Sequence, residues 1–224
     1  MTDAHCHVTG GDPGVREFLI GRDFIGVHPW ETRDQGSGIR DQVMVALKQR
    51  LQKDPRLGVG EIGLDRLKDR IISKCMRETF ELQLRLAAEF HRPVVLHGAK
   101  CWGQVVFAIQ SLIPDSRFLI PSFLFHGFSR SSGLIPDIVA LNGFISVGPA
   151  VLNDHAVNYR ELVRRIPIER LLVETDRTPE NEAECPGVRE VAAAVAELRG
   201  MTLDELEKIT DRNADTFICY NIQK

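Results

Sequence analysis

Seven histidines are spread over 224 residues. Four of them, with two carboxylates, stand in or at the ends of apolar runs. His5 and His7 lie in DAHCH, Glu61 lies in GEIGL, His97 closes PVVLH, His126 closes SFLFH, and Asp176 closes RLLVETD. A neutral imidazole is a good ligand for Zn²⁺ and other divalent ions, and a carboxylate inside an apolar strand is costly unless paired or bound to a cation. Taken singly, each residue has an ordinary explanation: exposed terminal histidines, a salt bridge for Glu61, satisfied core histidines, a helix N-cap for Asp176. Together, four histidines and two carboxylates form a donor set for two adjacent divalent cations. Such a set suits a hydrolytic centre, where the ions polarise the scissile group and a water is deprotonated near neutral pH.

His5 and Asp176 are 171 positions apart, so only a fold that gathers strand ends can unite these residues. Short apolar runs at 24–28, 56–64, 93–97, 122–126, 142–148 and 170–176 read as strands buried on both faces. With the first residues and REFLI (16–20), the count is about eight. Amphipathic helical patterns fall between them at 40–52, 75–90, 102–112 and 157–166. A further helix at 189–200 ends on Gly200, and Thr202 with Glu205 forms a capping box that opens a last helix. No repeat, linker or low-complexity tract divides the chain, which predicts one α/β domain over 1–224. A doubly wound sheet would show a glycine-rich first turn leading into a helix, and none is present. A (β/α)8 TIM barrel accounts for about eight strands and for polar residues at strand C-terminal ends. There, His5 and His7 at i and i+2 share one face of the first strand.

The net charge of −3 is not the footprint of a protein that holds nucleic acid by bulk electrostatics. No apolar run approaches the roughly 20 residues of a membrane span. With no apolar leader visible and five scattered cysteines at 6, 75, 101, 185 and 219, the chain reads as cytoplasmic with reduced thiols.

In DAHCH, GVHPW (26–30), GEIGLD (60–65), PVVLH, HGFS (126–129), GFISVG, VETD and the tail 196–217, the sequence resembles the TatD-type metal-dependent deoxyribonucleases, which are amidohydrolase-like barrels. The pieces occur in that family's order from residue 3 to about 217. The resemblance implies two metal ions (Zn, Mn or Mg): His5, His7 and Asp176 on one, His97 and His126 on the other, Glu61 bridging. Asp176 would also be general base and later proton donor. It implies phosphodiester hydrolysis in DNA, often from a 3′ end; histidine-rich ligation favours Zn or Mn over Mg.

The sequence also departs from that pattern. Only 20 residues separate His7 from His28, fewer than is usual in the family, so the second strand and helix unit is expected to be abbreviated. HGAKCW follows His97 where many relatives read HSR, and RTPEN follows Asp176 where many read APY. Lys100 then either replaces an arginine that faces phosphate or is simply solvated; Arg177 touches substrate or forms rim surface. Arg130 is a candidate phosphate contact or an exposed arginine. His28 reads as support or pocket wall, with Trp30 either a stacking platform for a base or a core residue. His91 and His155 carry no assigned role. The leading expectation is a phosphodiesterase acting on DNA or short nucleic-acid ends. The alternative is a metallohydrolase of small-molecule amides or esters, or of aminoacyl esters.

Overall fold

Among the described residues, eight short parallel strands, most of them buried on both faces, form the centre of the molecule. The computed structural model describes residues 1–32, 37–68, 70–113, 121–129 and 131–218. The strands are β1 (Thr2–Cys6), β2 (Arg16–Leu19), β3 (Phe24–Ile25), β4 (Gly58–Asp65), β5 (Val94–Ala99), β6 (Phe123–Phe125), β7 (Gly143–Val147) and β8 (Leu171–Val173). The helices are α1 (Ser37–Lys53), α2 (Lys74–Glu89), α3 (Trp102–Leu112), α4 (Ile135–Ala140), α5 (Val157–Arg165), α6 (Val188–Arg199) and α7 (Leu203–Ile218). Strands β3 to β8 make one continuous parallel sheet in chain order, and β1 pairs with β2. A parallel bridge from Ile20 to Phe24 joins the two pieces. Past the end of β8, the Asp176 N–H donates to the His5 carbonyl at 3.0 Å and the His7 N–H to the Arg177 carbonyl at 2.7 Å, closing the ring. The result is the (β/α)8 barrel expected from the strand count.

Strand periodicity of two separates two apolar layers. Val94, Leu96, Phe123, Phe125, Ile145, Val147, Leu171 and Val173 belong to the large core between sheet and helices. Val95, Leu124, Phe144 and Leu172 belong to a second cluster inside the barrel, with Phe18, Phe24, Ala214 and Phe217. These inner residues lie two positions before His97, His126, Ser146 and Glu174, so the polar layer sits directly above an apolar one on the same strand faces. Phe217, from α7, plugs the lower end, its ring stacked on Phe24 at 5.8 Å.

The expected abbreviation takes a definite form. The second strand is present, but no helix lies between β1 and β2 or between β2 and β3, and only four residues separate β2 from β3. Helix α7 secures this corner instead. Asp211 accepts from the Thr2 hydroxyl at 2.7 Å, Asp215 accepts from Arg16 at 2.6 Å, and the Met1 amino group lies 2.8 Å from Glu207. The capping box that opens α7 is formed: the Glu205 N–H donates to Thr202 Oγ1 at 3.2 Å, and the Thr202 N–H donates to the Glu205 carboxylate at 2.8 Å. Gly200 ends α6 at φ 66, the left-handed position that glycine takes without steric cost. Helix α4 is the one regular helix the sequence pattern did not suggest; its six residues span less than two turns.

Candidate metal centre

The C-terminal ends of β1, β4, β5, β6 and β8 bring His5, His7, Glu61, His97, His126 and Asp176 into one site. Glu61, buried at 3 % exposure, is its hub. Its Oε1 lies 2.6 Å from His97 Nδ1 and 2.6 Å from His126 Nε2. Its Oε2 lies 3.4 Å from His5 Nε2 and 3.3 Å from His7 Nε2. Asp176 Oδ1 faces the same two imidazoles, at 3.4 Å from His5 and 3.8 Å from His7. The two oxygens of one carboxylate thus address two separate groups of nitrogens. His5, His7 and Asp176 offer donor atoms within 4.8 Å of one another, as do His5, Glu61 and His126.

The residues fit a cationic occupant on grounds of their own. His5 is fully buried, and neither ring nitrogen has a hydrogen-bond partner. Both nitrogens of His97 face carboxylate oxygens: Nδ1 faces Glu61, and Nε2 lies 2.8 Å from Asp65 Oδ2. Carboxylates only accept, so without a cation the ring must carry two protons. Burial opposes that charge, but hydrogen bonds to Asp65 and Glu61 outweigh it and push His97 up to about 9. His5 is likewise raised: burial opposes its charge, but Asp176 and Glu61 win. Glu61 is held well below the carboxylate range despite its burial, through the charge of His126 and hydrogen bonds from the surrounding histidines. Where protons are drawn onto His5 and His97, metal cations and protons compete for the same positions.

Three carboxylates escaped the sequence reading. Asp65 is fully buried; besides His97 it accepts from Trp30 Nε1 at 2.9 Å and from the N–H groups of Leu67 and Lys68 at 2.7 and 2.9 Å. By taking the Nε2 proton of His97 it leaves Nδ1 to face the centre. The available signal was a second acidic residue closing the strand that carries Glu61. Glu174 accepts from the Ser146 hydroxyl and from the Gly127 N–H at 2.7 Å, fixing the turn that follows His126. Asp3 accepts from Thr175 Oγ1 at 2.6 Å and Thr175 N at 3.0 Å, which sews β1 to the end of β8. Nothing local marked either as paired.

The remaining candidates are dispersed around this centre. His28 Nε2 lies 3.5 Å from Glu61 Oε1, and its Nδ1 accepts from the Trp30 N–H at 3.2 Å. In a neutral ring that acceptor role puts the proton on Nε2, making His28 a donor toward Glu61; its donor atom also lies within 4.8 Å of those of Glu61 and His97. Trp30 is 44 % exposed, so it is not a core residue; its ring meets His28 at 4.6 Å and His97 at 6.0 Å. Lys100 is exposed, at φ 57. The Arg177 side chain turns away from Asp176 toward the Cys185 carbonyl, at 3.4 Å, and toward Gly10. Arg130 lies outside the described residues. A cleft of about 990 Å³ opens beside Asp176 and Glu174 toward α5; Tyr159, Arg165 and His155, the last without a role in the sequence reading, line its far side.

Comparison with known proteins shows the family and the fold. A family model described as TatD related DNase matches residues 22–218. The uncharacterized metal-dependent hydrolase YabD of Bacillus subtilis is 28 % identical over 199 residues, covering 85 % of this chain and 74 % of the relative. The 3′-5′ ssDNA/RNA exonuclease TatD of Klebsiella pneumoniae is 29 % identical over 204 residues, with the same coverage. Among solved structures, the TatD homologue YjjV of Escherichia coli superposes with a TM-score of 0.77 at 23 % identity, covering 97 % of both chains, a likeness of fold.

Proposed function

We propose, from the premise that this chain belongs to the TatD related DNase family, that it is a two-metal phosphodiesterase acting on the ends of DNA strands. Membership makes it a metal-dependent hydrolase. The finer reading rests above all on Glu61, whose two oxygens face two groups of imidazoles. His5, His7 and Asp176 would hold one divalent ion and His97 and His126 the other, with Glu61 shared between them. When bound, such ions supply positive charge to polarise a phosphodiester and lower the pKa of an attacking water.

The protein's own groups supply the rest. Burial works against charge on Asp176, but the neighbouring His5 and His126 imidazoles hold its carboxyl below the ordinary range. It is therefore ionised at neutral pH and available to accept a proton from water, then return it to the leaving oxygen. Its backbone is fixed at φ 50 by the bond to the His5 carbonyl and by Asn181, which donates to the Asp176 carbonyl at 3.2 Å. Asp65 and His28 orient His97 and Glu61. The cleft beside Asp176 would take the body of the substrate. The name of the Klebsiella relative, an exonuclease of single-stranded DNA and RNA, supports a nucleic-acid substrate. We further propose that 1–224 form one catalytic domain working in the cytoplasm. Among the described residues, Cys6, Cys101 and Cys185 form no disulfide, and no helix is long and apolar enough to cross a membrane.

Protein purified without chelator is expected to carry about two equivalents of Zn or Mn and to hydrolyse single-stranded DNA. A metal-free sample would overturn the two-metal reading. The cleft also matches the roughly 300–1,000 Å³ of small-molecule sites, which favours a second reading, an esterase or amidase of small substrates. Turnover of lactones, amides or aminoacyl esters with no action on DNA would establish it. Asp65→Asn is expected to weaken metal affinity about 10- to 100-fold, measured by titrating Zn²⁺ into the chelated protein. Unchanged affinity would remove Asp65 from the centre.

A further inference from the structure

Four cations crowd one rim of the barrel mouth. The loop after β4 carries Arg66, Lys68 and Arg70, all exposed, and Lys100 stands exposed on the neighbouring loop after β5. The strand register pairs Asp65 with Ala99, and the Arg66 N–H donates to the Ala99 carbonyl at 2.9 Å, so the two loops are adjacent. None of the four forms an ion pair with a carboxylate among the described residues; Asp69, the acid in this loop's sequence, lies outside them. The same rim exposes apolar surface: Leu67 at 59 %, Ile71 at 78 %, and Trp30. Lys68 Nζ rests over the Trp30 ring, 4.6 Å from its centroid.

The rim is tied to the metal centre through one carboxylate. Asp65 holds His97, the Trp30 indole and the backbone of Leu67 and Lys68 at once. An exposed aromatic ring bordered by exposed cations is the combination that binds single-stranded nucleic acid, bases on the ring and phosphates on the cations. It also resolves the difficulty posed by a net charge of −3, because the charge that matters is local.

We propose that the rim formed by Arg66, Lys68, Arg70 and Lys100 around Trp30 is a docking track for a single-stranded nucleic-acid segment whose end enters the metal centre. The inference rests on the phosphodiesterase reading. A base next to the reacting phosphate stacks on Trp30 and displaces the Lys68 ammonium, which then meets the adjoining phosphate. Arg66, Arg70 and Lys100 hold the phosphates farther along.

The test is binding, which does not depend on turnover. Fluorescence anisotropy would follow a nuclease-resistant phosphorothioate oligothymidylate of about 12 nucleotides on the metal-loaded protein. The triple variant Arg66→Glu/Lys68→Glu/Arg70→Glu is expected to bind it at least about tenfold more weakly, with the slope of log affinity against log salt reduced by about 2. A control with the same charge change at the opposite end of the barrel, Arg50→Glu/Lys53→Glu/Arg212→Glu, is expected to bind as the wild type does. Trp30→Leu is expected to weaken binding without changing the salt slope. Equal losses in the two triple variants would overturn the proposal, as would an unchanged affinity in the rim variant whose circular dichroism matches the wild type. So would loss of binding to phosphatidylserine vesicles with oligonucleotide affinity intact, which would make the rim a lipid contact. A wild-type protein that binds the oligonucleotide through the rim yet cleaves no phosphodiester would leave the track standing and refute the phosphodiesterase reading.

Discussion

Asp176→Asn is expected to lower turnover on single-stranded DNA by on the order of 10³-fold while leaving the fold and most of the bound metal in place. The amide keeps an oxygen toward His5 and His7, which now lie 3.4 and 3.8 Å from Oδ1, so a weakened ligand remains. What is lost is the negative charge and the capacity to take a proton. The backbone need not move, because the bonds that hold it, to His5 and from Asn181, come from main-chain groups of residue 176. Metal content by elemental analysis, melting temperature and kcat measured on one preparation separate the cases. Near-normal turnover would remove Asp176 from proton transfer. A complete loss of metal would mean that it acts as ligand alone.

Glu61→Gln is expected to have the larger structural consequence. One oxygen of Glu61 lies 2.6 Å from both His97 Nδ1 and His126 Nε2, and the other faces His5 and His7. A carboxylamide replaces one acceptor with an N–H₂ donor, which must point at one of these groups of imidazoles. It also removes the buried anion shared by both. Bound metal should fall from about two equivalents to one or none, and turnover by on the order of 10³-fold or more, since the electrostatic stabilisation supplied by the site is lost with it. Restoring activity with excess Mn²⁺ would show that Glu61 mainly secures occupancy. Two retained equivalents with unchanged turnover would overturn the bridging role.

Much of this centre was readable along the chain because the residues proposed as its ligands are marked locally. His97 and His126 each end a run of residues that only a strand buried on both faces would contain, and Glu61 interrupts such a run with a charge. The barrel followed from the number of runs and the amphipathic segments between them. Trp30 was harder, because an aromatic residue after His-Pro reads first as a core position, and its 44 % exposure overturns that reading. Its exposure depends on a loop that begins 36 residues later.

The sequence by itself determined which residues could bind metal, the strands that carry them, and the short passage from His7 to His28, since each is a matter of residue type and local period. The tertiary structure alone decided how the acids divide their work. Asp65, Asp3, Glu174 and Glu61 are alike in sequence, yet one orients His97, one seams β1 to β8, one fixes the turn after His126, and one joins the two groups of imidazoles. A carboxylate takes its role from the donors around it, and in a closed barrel those donors come from other strands, up to 172 positions away. The tertiary structure likewise decided what replaces the missing helices. Helix α7, at the far end of the chain, anchors the first residues through Asp211 and Asp215, because closing the ring brings the two ends of the sequence together.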